Sequence, residues 1–133
     1  MEEGRKLVHE KLVPDLSRRG IVPRLSKAAV SQLLRTRQTA EEAGFLPGRT
    51  ADYACLNEVK HGMNGADLRR LLDSGGIPDA AMRAAAEILK RPPKEGIWVS
   101  HGLVIAGLCK TLGIDQNYER LVPRFCEVRK LPI

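Results

Sequence analysis

Two short turns of the chain carry the polar side chains that are best suited to chemistry. One runs from Ser31 to Arg37 and the other is Ser100-His101-Gly102, and each follows an apolar stretch and precedes a helix-favouring one. In an open α/β sheet, ligands bind beyond the carboxyl ends of the strands, where the strands turn into helices. We therefore expect a ligand site that contains these two turns.

The chemistry that the turns favour is the binding of phosphate. Unpaired backbone N–H groups and the helix dipole at the start of a helix attract an anion, and a guanidinium beside them, such as that of Arg35, completes a phosphate site. His101 lies between a buried strand and a glycine, where a reacting group would be held rigidly. The alternatives are a solvated helix start for Arg35 and Arg37, and a hydrogen-bonded core position for His101.

The elements around the two turns follow from periodicity and from the residues that end helices. A buried strand is predicted over Ala28-Ala29-Val30, and the helix that comes after the first turn ends at Gly44. A second buried strand is predicted over residues 96–100, and an apolar helix over residues 103–112. Each turn is therefore expected to join a strand to a helix.

Other segments complete the predicted fold. Two more helices are predicted over residues 66–74 and 78–91, a short strand over residues 6–8 and an edge strand over residues 125–131. Prolines and glycine in residues 1–30 are expected to interrupt any helix longer than two turns. Strands that alternate with helices predict an α/β fold, a three-layer sandwich with a mostly parallel sheet and helices on both faces.

Length and composition are those of an ordinary globular protein. The 133 residues predict a single domain over residues 1–133, and 43% hydrophobic and 29% charged residues exclude disordered and fibrous classes. No apolar run approaches the roughly 18 residues of a membrane span. The first ten residues also lack the apolar stretch of a signal peptide. We expect a cytoplasmic protein with no membrane partner.

The charge balance favours an anionic partner. Lys and Arg number 22 against 16 Asp and Glu, which gives a net charge of +6. Five aromatic residues argue against nucleic acid, since single-strand binders stack bases on such side chains. The three cysteines and three histidines lack the spacing of a disulfide framework or a metal site, so no metal or other cofactor is expected.

Four segments of the chain together resemble the histidine phosphatase superfamily, whose members share the phosphoglycerate-mutase-like fold. SQLLRTRQTAE at 31–41 is similar to that family's segment with a phosphate-pocket arginine, and WVSHGLVI at 98–105 to its second-histidine motif. LNEVKHGMNG at 56–65 is similar to the stretch with an acid/base carboxylate, and PDLSRRG at 14–20 to the segment that follows the nucleophile. The resemblance covers about residues 6–112 in consistent order.

The resemblance implies phosphoryl transfer through a phosphohistidine. His9 would be the nucleophile on the first strand, and Glu58 would protonate the leaving oxygen and then deprotonate water. Arg35 and a protonated His101 would neutralise the phosphoryl oxygens. An exposed histidine near the N-terminus and a free surface carboxylate are the alternatives for His9 and Glu58. The same resemblance adds two residues to the phosphate-binding turn: Ser100 and Gly102.

The first motif departs from the family pattern. That pattern is Arg-His-Gly or Arg-His-Ala, whereas here Val8 precedes His9 and Glu10 follows it. Loss of one cationic donor at a transferring phosphoryl group costs about two to three orders of magnitude in rate. The residues that the sequence offers in place of that arginine are Arg5, which we include among the phosphate-binding candidates, and Arg18.

Two parts of the family's fold are short in this sequence. Ten residues separate Gly20 from Ser31, where the family has a full helix, so we expect a shortened first helix region. A chain of 133 residues leaves no room for the long insertions that cover the site in mutases. The resulting open site suits an exposed phosphoryl group, either on a protein histidine or in a phosphomonoester.

Two functions follow from these observations. The first is a metal-independent phosphatase, a hydrolase acting on phosphomonoesters or protein phosphohistidine, which the retained Arg35, Glu58 and His101 favour. The second is a catalytically impaired relative that binds phosphorylated small molecules or phosphoproteins, which the altered first motif favours. The sequence leaves the oligomeric state open.

Overall fold

A computed structural model describes residues 2–133 and shows an α/β fold. Its three short strands form one parallel sheet in the order β2-β1-β3, with these bounds: β1 Ala28–Val30, β2 Thr50–Asp52 and β3 Ile97–Val99. In the register of the sheet, Val30 lies opposite both Asp52 and Val99. All three strands therefore end at the same edge, which we call the carboxyl edge.

Six α-helices accompany the sheet in the described residues. Their bounds are α1 Glu2–Leu7, α2 Val13–Arg18, α3 Leu34–Ala43, α4 Gly65–Asp73, α5 Asp79–Lys90 and α6 Gly102–Thr111. A π-helical turn, Val8–Leu12, joins α1 to α2, and 3-10 turns lie at Pro23–Leu25, Pro47–Arg49, Ala54–Leu56 and Asp115–Asn117. Within residues 2–133, none of these helices has the length and apolar character needed to cross a membrane.

Helices lie on both faces of the sheet because successive strand residues point to opposite sides. On one side, Ala28 and Val30 pack against apolar residues from the first helical segment and α3: Val8, Leu16, Ala40 and Ala43. On the other side, Ala29 packs against residues of the 54–56 turn, α5 and α6: Leu56, Ala85, Ile88, Val104 and Leu108. The predicted α/β class and parallel sheet are confirmed, and the layers are compatible with the predicted three-layer sandwich.

The two strand-to-helix turns lie where the sequence predicts them. β1 is followed by Ser31 and α3, and β3 is followed by Ser100, His101 and α6. α3 ends at Gly44, whose φ of 107° is in the left-handed region that glycine adopts without steric cost. Both turns therefore lie at the carboxyl edge.

The prediction of a strand over residues 6–8 is wrong, because the chain is helical from Glu2 to Arg18. Apolar side chains four residues apart, at Val8, Leu12 and Leu16, give one face of a helix that packs against the core. The proline at position 14 does not interrupt this run. Proline crowds the carbonyl four residues before it, and the π-helical turn, in which Val13 N–H donates to Val8 O, widens the backbone directly ahead of it.

The segment between Gly20 and Ser31 is short, as expected, but the region before Gly20 is a long helical segment that the sequence does not predict. The structure has only the 3-10 turn Pro23–Leu25 between Gly20 and Ser31, and its long helical segment lies before Gly20. β2, which no sequence pattern indicated, follows the next helix, α3. Its residues Thr50–Asp52 are half-buried or exposed and include only one apolar side chain.

The prediction of an edge strand over residues 125–131 is also wrong. Cys126 has a φ of 65°, which an extended strand cannot contain. Arg129 points inward, with 1% of its side chain exposed, and donates to the Leu121 carbonyl at 2.8 Å and to the Glu127 carboxylate at 2.7 Å. A buried, hydrogen-bonded guanidinium thus holds this segment in an irregular conformation.

Candidate functional site

The candidate site forms where the two predicted turns meet at the carboxyl edge. The Ser31 N–H group donates to the Val99 carbonyl at 3.1 Å, which continues the pairing of β1 with β3 by one residue. The imidazole Nε2 of His101 then lies 3.0 Å from Ser31 Oγ. Ser31 is fully buried and His101 is half-buried, so one side of the ring contacts the protein interior.

Arg35 and Glu58 meet at the surface of the same region. Arg35 is the second residue of α3, and its Nη2 lies 2.9 Å from Glu58 Oε2. The two side chains are 62% and 55% exposed, and an exposed ion pair contributes only about 0–1 kcal/mol to stability. The guanidinium is therefore free to exchange this carboxylate for another anion at small cost.

The pKa of His101 is shifted by burial and by the charges of Glu58 and Arg35. Burial lowers the pKa of His101 below its ordinary value, because the charged imidazolium loses solvation. The Glu58 carboxylate acts in the opposite direction and the Arg35 guanidinium adds to the lowering. An anion that displaced the carboxylate from Arg35 would lie within the field of the same imidazole.

Hydrogen bonds connect the segment that carries Glu58 to the residues at the ends of β1 and β3. Ser100 Oγ donates to the Leu56 carbonyl at 2.7 Å, which joins the end of β3 to the 54–56 turn. Asn57 accepts from the Gln32 N–H at 2.7 Å and donates to the Gln32 side-chain oxygen at 2.9 Å. These bonds hold Glu58 beside the start of α3.

Gly102, the first residue of α6, is required by close packing. A Cβ at this position would lie 2.8 Å from Val122 Cγ1, which is closer than side chains approach one another. The segment around Val122 therefore covers the start of α6 next to His101. The predicted roles of Ser100 and Gly102 in the phosphate site stay predictions, and the structure shows what each side chain or backbone position contacts.

His9 and Arg5 lie on the N-terminal helical segment, away from the carboxyl edge. His9 is on the π-helical turn, and its Nε2 lies 2.7 Å from Glu42 Oε1, near the far end of α3. Glu42 is seven residues beyond Arg35, which corresponds to about 10 Å along the helix axis. Arg5, on α1, pairs with Glu2 at 3.9 Å and lines a surface groove with His9 and Glu42. The structure brings Arg35, Glu58 and His101 together but places His9 and Arg5 apart from them.

Four polar residues of the site lie in the predicted segments, but the sequence assigns none of them a role of its own: Ser31, Gln32, Thr36 and Asn57. Thr36 is 5% exposed and bonds to Ser31. Each belongs to a segment that the resemblance names. The signal that could have found Ser31 is a polar residue at the end of a fully apolar strand, since a buried hydroxyl requires a hydrogen-bond partner.

The arrangement favours an anion over a metal ion. The first N–H groups of a helix have no partner within it, and both α3 and α6 begin at the carboxyl edge beside Arg35 and His101. Within residues 2–133, no group of three or more His, Cys, Asp or Glu side chains could hold a metal ion. The Arg35 guanidinium thus contacts the Glu58 carboxylate beside the start of α3, and the start of α6 lies at the same edge.

Comparisons with known proteins leave the family of the chain open. No protein-family model matches the sequence, and neither the curated proteins nor the solved structures provide a match.

The lowered pKa of His101 predicts how stability depends on pH. Between the lowered folded-state pKa and the ordinary value near 6.5, the unfolded chain binds more protons than the folded one, so the free energy of unfolding falls on acidification. Chemical denaturation from pH 7 to pH 5, in buffer without phosphate or sulfate, should show a steeper loss for the parent than for His101→Gln. Equal slopes in the two proteins would contradict the buried position of the ring.

Proposed function

We propose that the carboxyl edge binds the phosphoryl group of a phosphorylated small molecule or phosphoprotein. The observation that carries the proposal is that the turn before α3, with Arg35, and the turn before α6, with His101, are joined by the Ser31 N–H bond to the Val99 carbonyl and by the contact of Ser31 Oγ with His101 Nε2. A guanidinium and an imidazole on neighbouring turns, each at a helix start, provide donors to a phosphate dianion when the imidazole is protonated.

The phosphoryl group would take the place of the Glu58 carboxylate at Arg35. That ion pair is more than half exposed, so its loss costs little. A phosphate dianion carries more charge than a carboxylate and would also accept from the N–H groups at the start of α3. The exposed rim, with Leu34 65% exposed next to Arg35, leaves room for the rest of the ligand outside the site.

The order of the segments and their placement at one edge of the sheet support the resemblance to the phosphoglycerate-mutase-like proteins. The segments with Arg35, Glu58 and His101, which the resemblance assigns to one phosphate pocket, come from separate parts of the sequence and meet at the same edge. We therefore propose a histidine-phosphatase-like domain. Its central sheet would be the parallel β2-β1-β3 sheet.

The second candidate function is phosphatase activity through a phosphohistidine. Glu58 favours it, because a carboxylate beside a phosphate pocket opposes binding and is useful where a leaving oxygen needs a proton. The position of His9 favours binding alone, since its side chain bonds to Glu42 about 10 Å along α3 from Arg35. An in-line attack by His9 would require the helical segment over residues 2–18 to leave its place on the core.

Binding of inorganic phosphate should depend on Arg35 and His101. Loss of a charge-assisted hydrogen bond costs about 1.5–3 kcal/mol, or about ten- to a hundredfold in affinity. We expect Arg35→Ala and His101→Ala each to weaken binding to this extent in isothermal titration calorimetry at fixed ionic strength. The matched control is Arg69→Ala, which removes one positive charge from the exposed surface of α4 and should change affinity less than twofold. Equal weakening in all three variants would show non-specific attraction.

Turnover separates the two candidate functions. We expect the parent protein, with EDTA present, to release no phosphate from an aryl phosphate above the rate of the buffer, while it still binds phosphate. His9→Ala and His101→Ala serve as controls in the same assay. Hydrolysis by the parent that is lost in both variants would instead establish a phosphatase whose nucleophile is His9.

A further inference from the structure

We propose that the Ser31 and Thr36 hydroxyl groups fix the tautomer of His101, so that Nε2 carries the proton and Nδ1 faces the ligand. Ser31 and Thr36 are thus positioning residues that act through the imidazole. The assignment of the tautomer rests on the hydrogen bonds alone, whereas the role of Nδ1 rests on the proposed function.

The chain of hydrogen bonds begins at a group that can only accept. Thr36 Oγ1 lies 3.1 Å from the Leu33 carbonyl oxygen, which has no proton to give. Donation of the single Thr36 hydroxyl proton to this carbonyl gives one hydrogen bond more than its donation to Ser31 would, because the carbonyl cannot donate to Thr36 in return. This is the local side-chain-to-backbone bond that threonine forms in the first turn of a helix.

The next bond then has a fixed direction. Ser31 Oγ is hydrogen-bonded to Thr36 Oγ1, and because Thr36 has no second proton, Ser31 must donate. The two lone pairs of Ser31 Oγ remain for its other two contacts. One is the Leu33 N–H group at 3.3 Å, which can only donate.

The remaining contact of Ser31 is with His101. Its Nε2 lies 3.0 Å from Ser31 Oγ, and since the Ser31 proton is already used, the imidazole must be the donor. A neutral His101 with its proton on Nε2 has its lone pair on Nδ1. The Leu33 carbonyl thus sets the direction of the bonds made by the Thr36 and Ser31 hydroxyl groups, and these bonds in turn place the imidazole proton on Nε2.

Burial protects the hydrogen bonds among Thr36, Ser31 and His101 from exchange with water. Ser31 is 0% exposed and Thr36 is 5% exposed, so water cannot take the place of either partner. Reversal of these hydrogen bonds would remove the bond from Thr36 to the Leu33 carbonyl, which would then accept only from the Arg37 N–H at 3.4 Å. The stated direction therefore has one hydrogen bond more than the reversed one.

Nδ1 is the free nitrogen of the ring. Within residues 2–133, the hydrogen bond of the His101 ring is made by Nε2, and Nδ1 makes none. Every side-chain nitrogen or oxygen that is buried in these residues has a hydrogen-bond partner, so Nδ1 is not buried. Nδ1 is therefore accessible to solvent, on a ring that the Glu58 and Arg35 charges both influence. It is the nitrogen that meets a phosphoryl group, and because the resting Nδ1 has only a lone pair, it donates to the phosphoryl oxygen only after a proton is taken up on binding.

The tautomer can be read directly from the ring nitrogens. Long-range ¹H–¹⁵N spectra of the labelled protein at pH 8, without ligand, should show a protonated Nε2 and an unprotonated Nδ1 for His101. In Thr36→Val, Ser31 regains its proton for donation to Nε2, so the population should move to the Nδ1–H form. Thr36→Ser retains the hydroxyl and should retain the parental tautomer.

Thr39→Val is the matched control. Thr39 lies one turn further along α3, and its hydroxyl donates to the Arg35 carbonyl at 3.0 Å, so this variant removes an equivalent bond without contact to Ser31. It should leave the His101 signals unchanged. An Nδ1–H tautomer in the parent protein would overturn the proposal, and this result does not depend on whether Thr36→Val folds. An unchanged tautomer in a folded Thr36→Val would also overturn it.

Addition of inorganic phosphate then tests the role of Nδ1 separately. We expect the Nδ1 resonance to shift more than that of Nε2 and to saturate. If the parent protein has its proton on Nε2 but phosphate changes neither nitrogen resonance, the proposed function and the ligand-facing role of Nδ1 are refuted. The assignment of the tautomer through Ser31 and Thr36 would still be correct. A larger response at Nε2 would show that phosphate binds but that Nδ1 does not face it.

Discussion

The backbone hydrogen bond from Ser31 N–H to the Val99 carbonyl is the contact on which the candidate site depends. It extends the parallel pairing of β1 and β3 beyond the end of β1, and it places the two strand-to-helix turns side by side. The Tyr53 N–H donates to the Val30 carbonyl at 2.8 Å, and this bond extends the pairing of β1 with β2 by one residue. Because these bonds join backbone groups, the frame persists when the side chains on the turns change.

The parts of the fold that the sequence predicts are those with strong local signals. Ala28-Ala29-Val30 and residues 97–99 are apolar runs, and Gly44 ends α3 with the positive φ that glycine allows. The placement of Arg35 and His101 follows from these elements and from the rule for ligand sites in parallel sheets. The hydroxyl chain from Thr36 through Ser31 could not be predicted, since it depends on side-chain positions that only the packed structure defines.

The errors lie where long-range contacts decide the local structure. The helix over residues 2–18 contains a proline, and the packing of Val8 and Leu16 against the sheet stabilises it in spite of that residue. Arg129 interrupts an alternating segment because its guanidinium is buried among carbonyl groups. The first of these errors bears on function, since it moves His9 from the end of a predicted strand to a helix that contacts the far end of α3.

The central claim is that a phosphoryl group binds between Arg35 and His101, and a crystal structure of the protein soaked with tungstate, a phosphate-shaped anion, tests it most directly. We expect one strong anomalous peak within hydrogen-bond distance of the Arg35 guanidinium and His101 Nδ1, with Glu58 displaced from Arg35. A peak in the groove between Arg5 and His9, or an intact ion pair between Arg35 and Glu58 with no anion beside it, would contradict a phosphoryl site between Arg35 and His101.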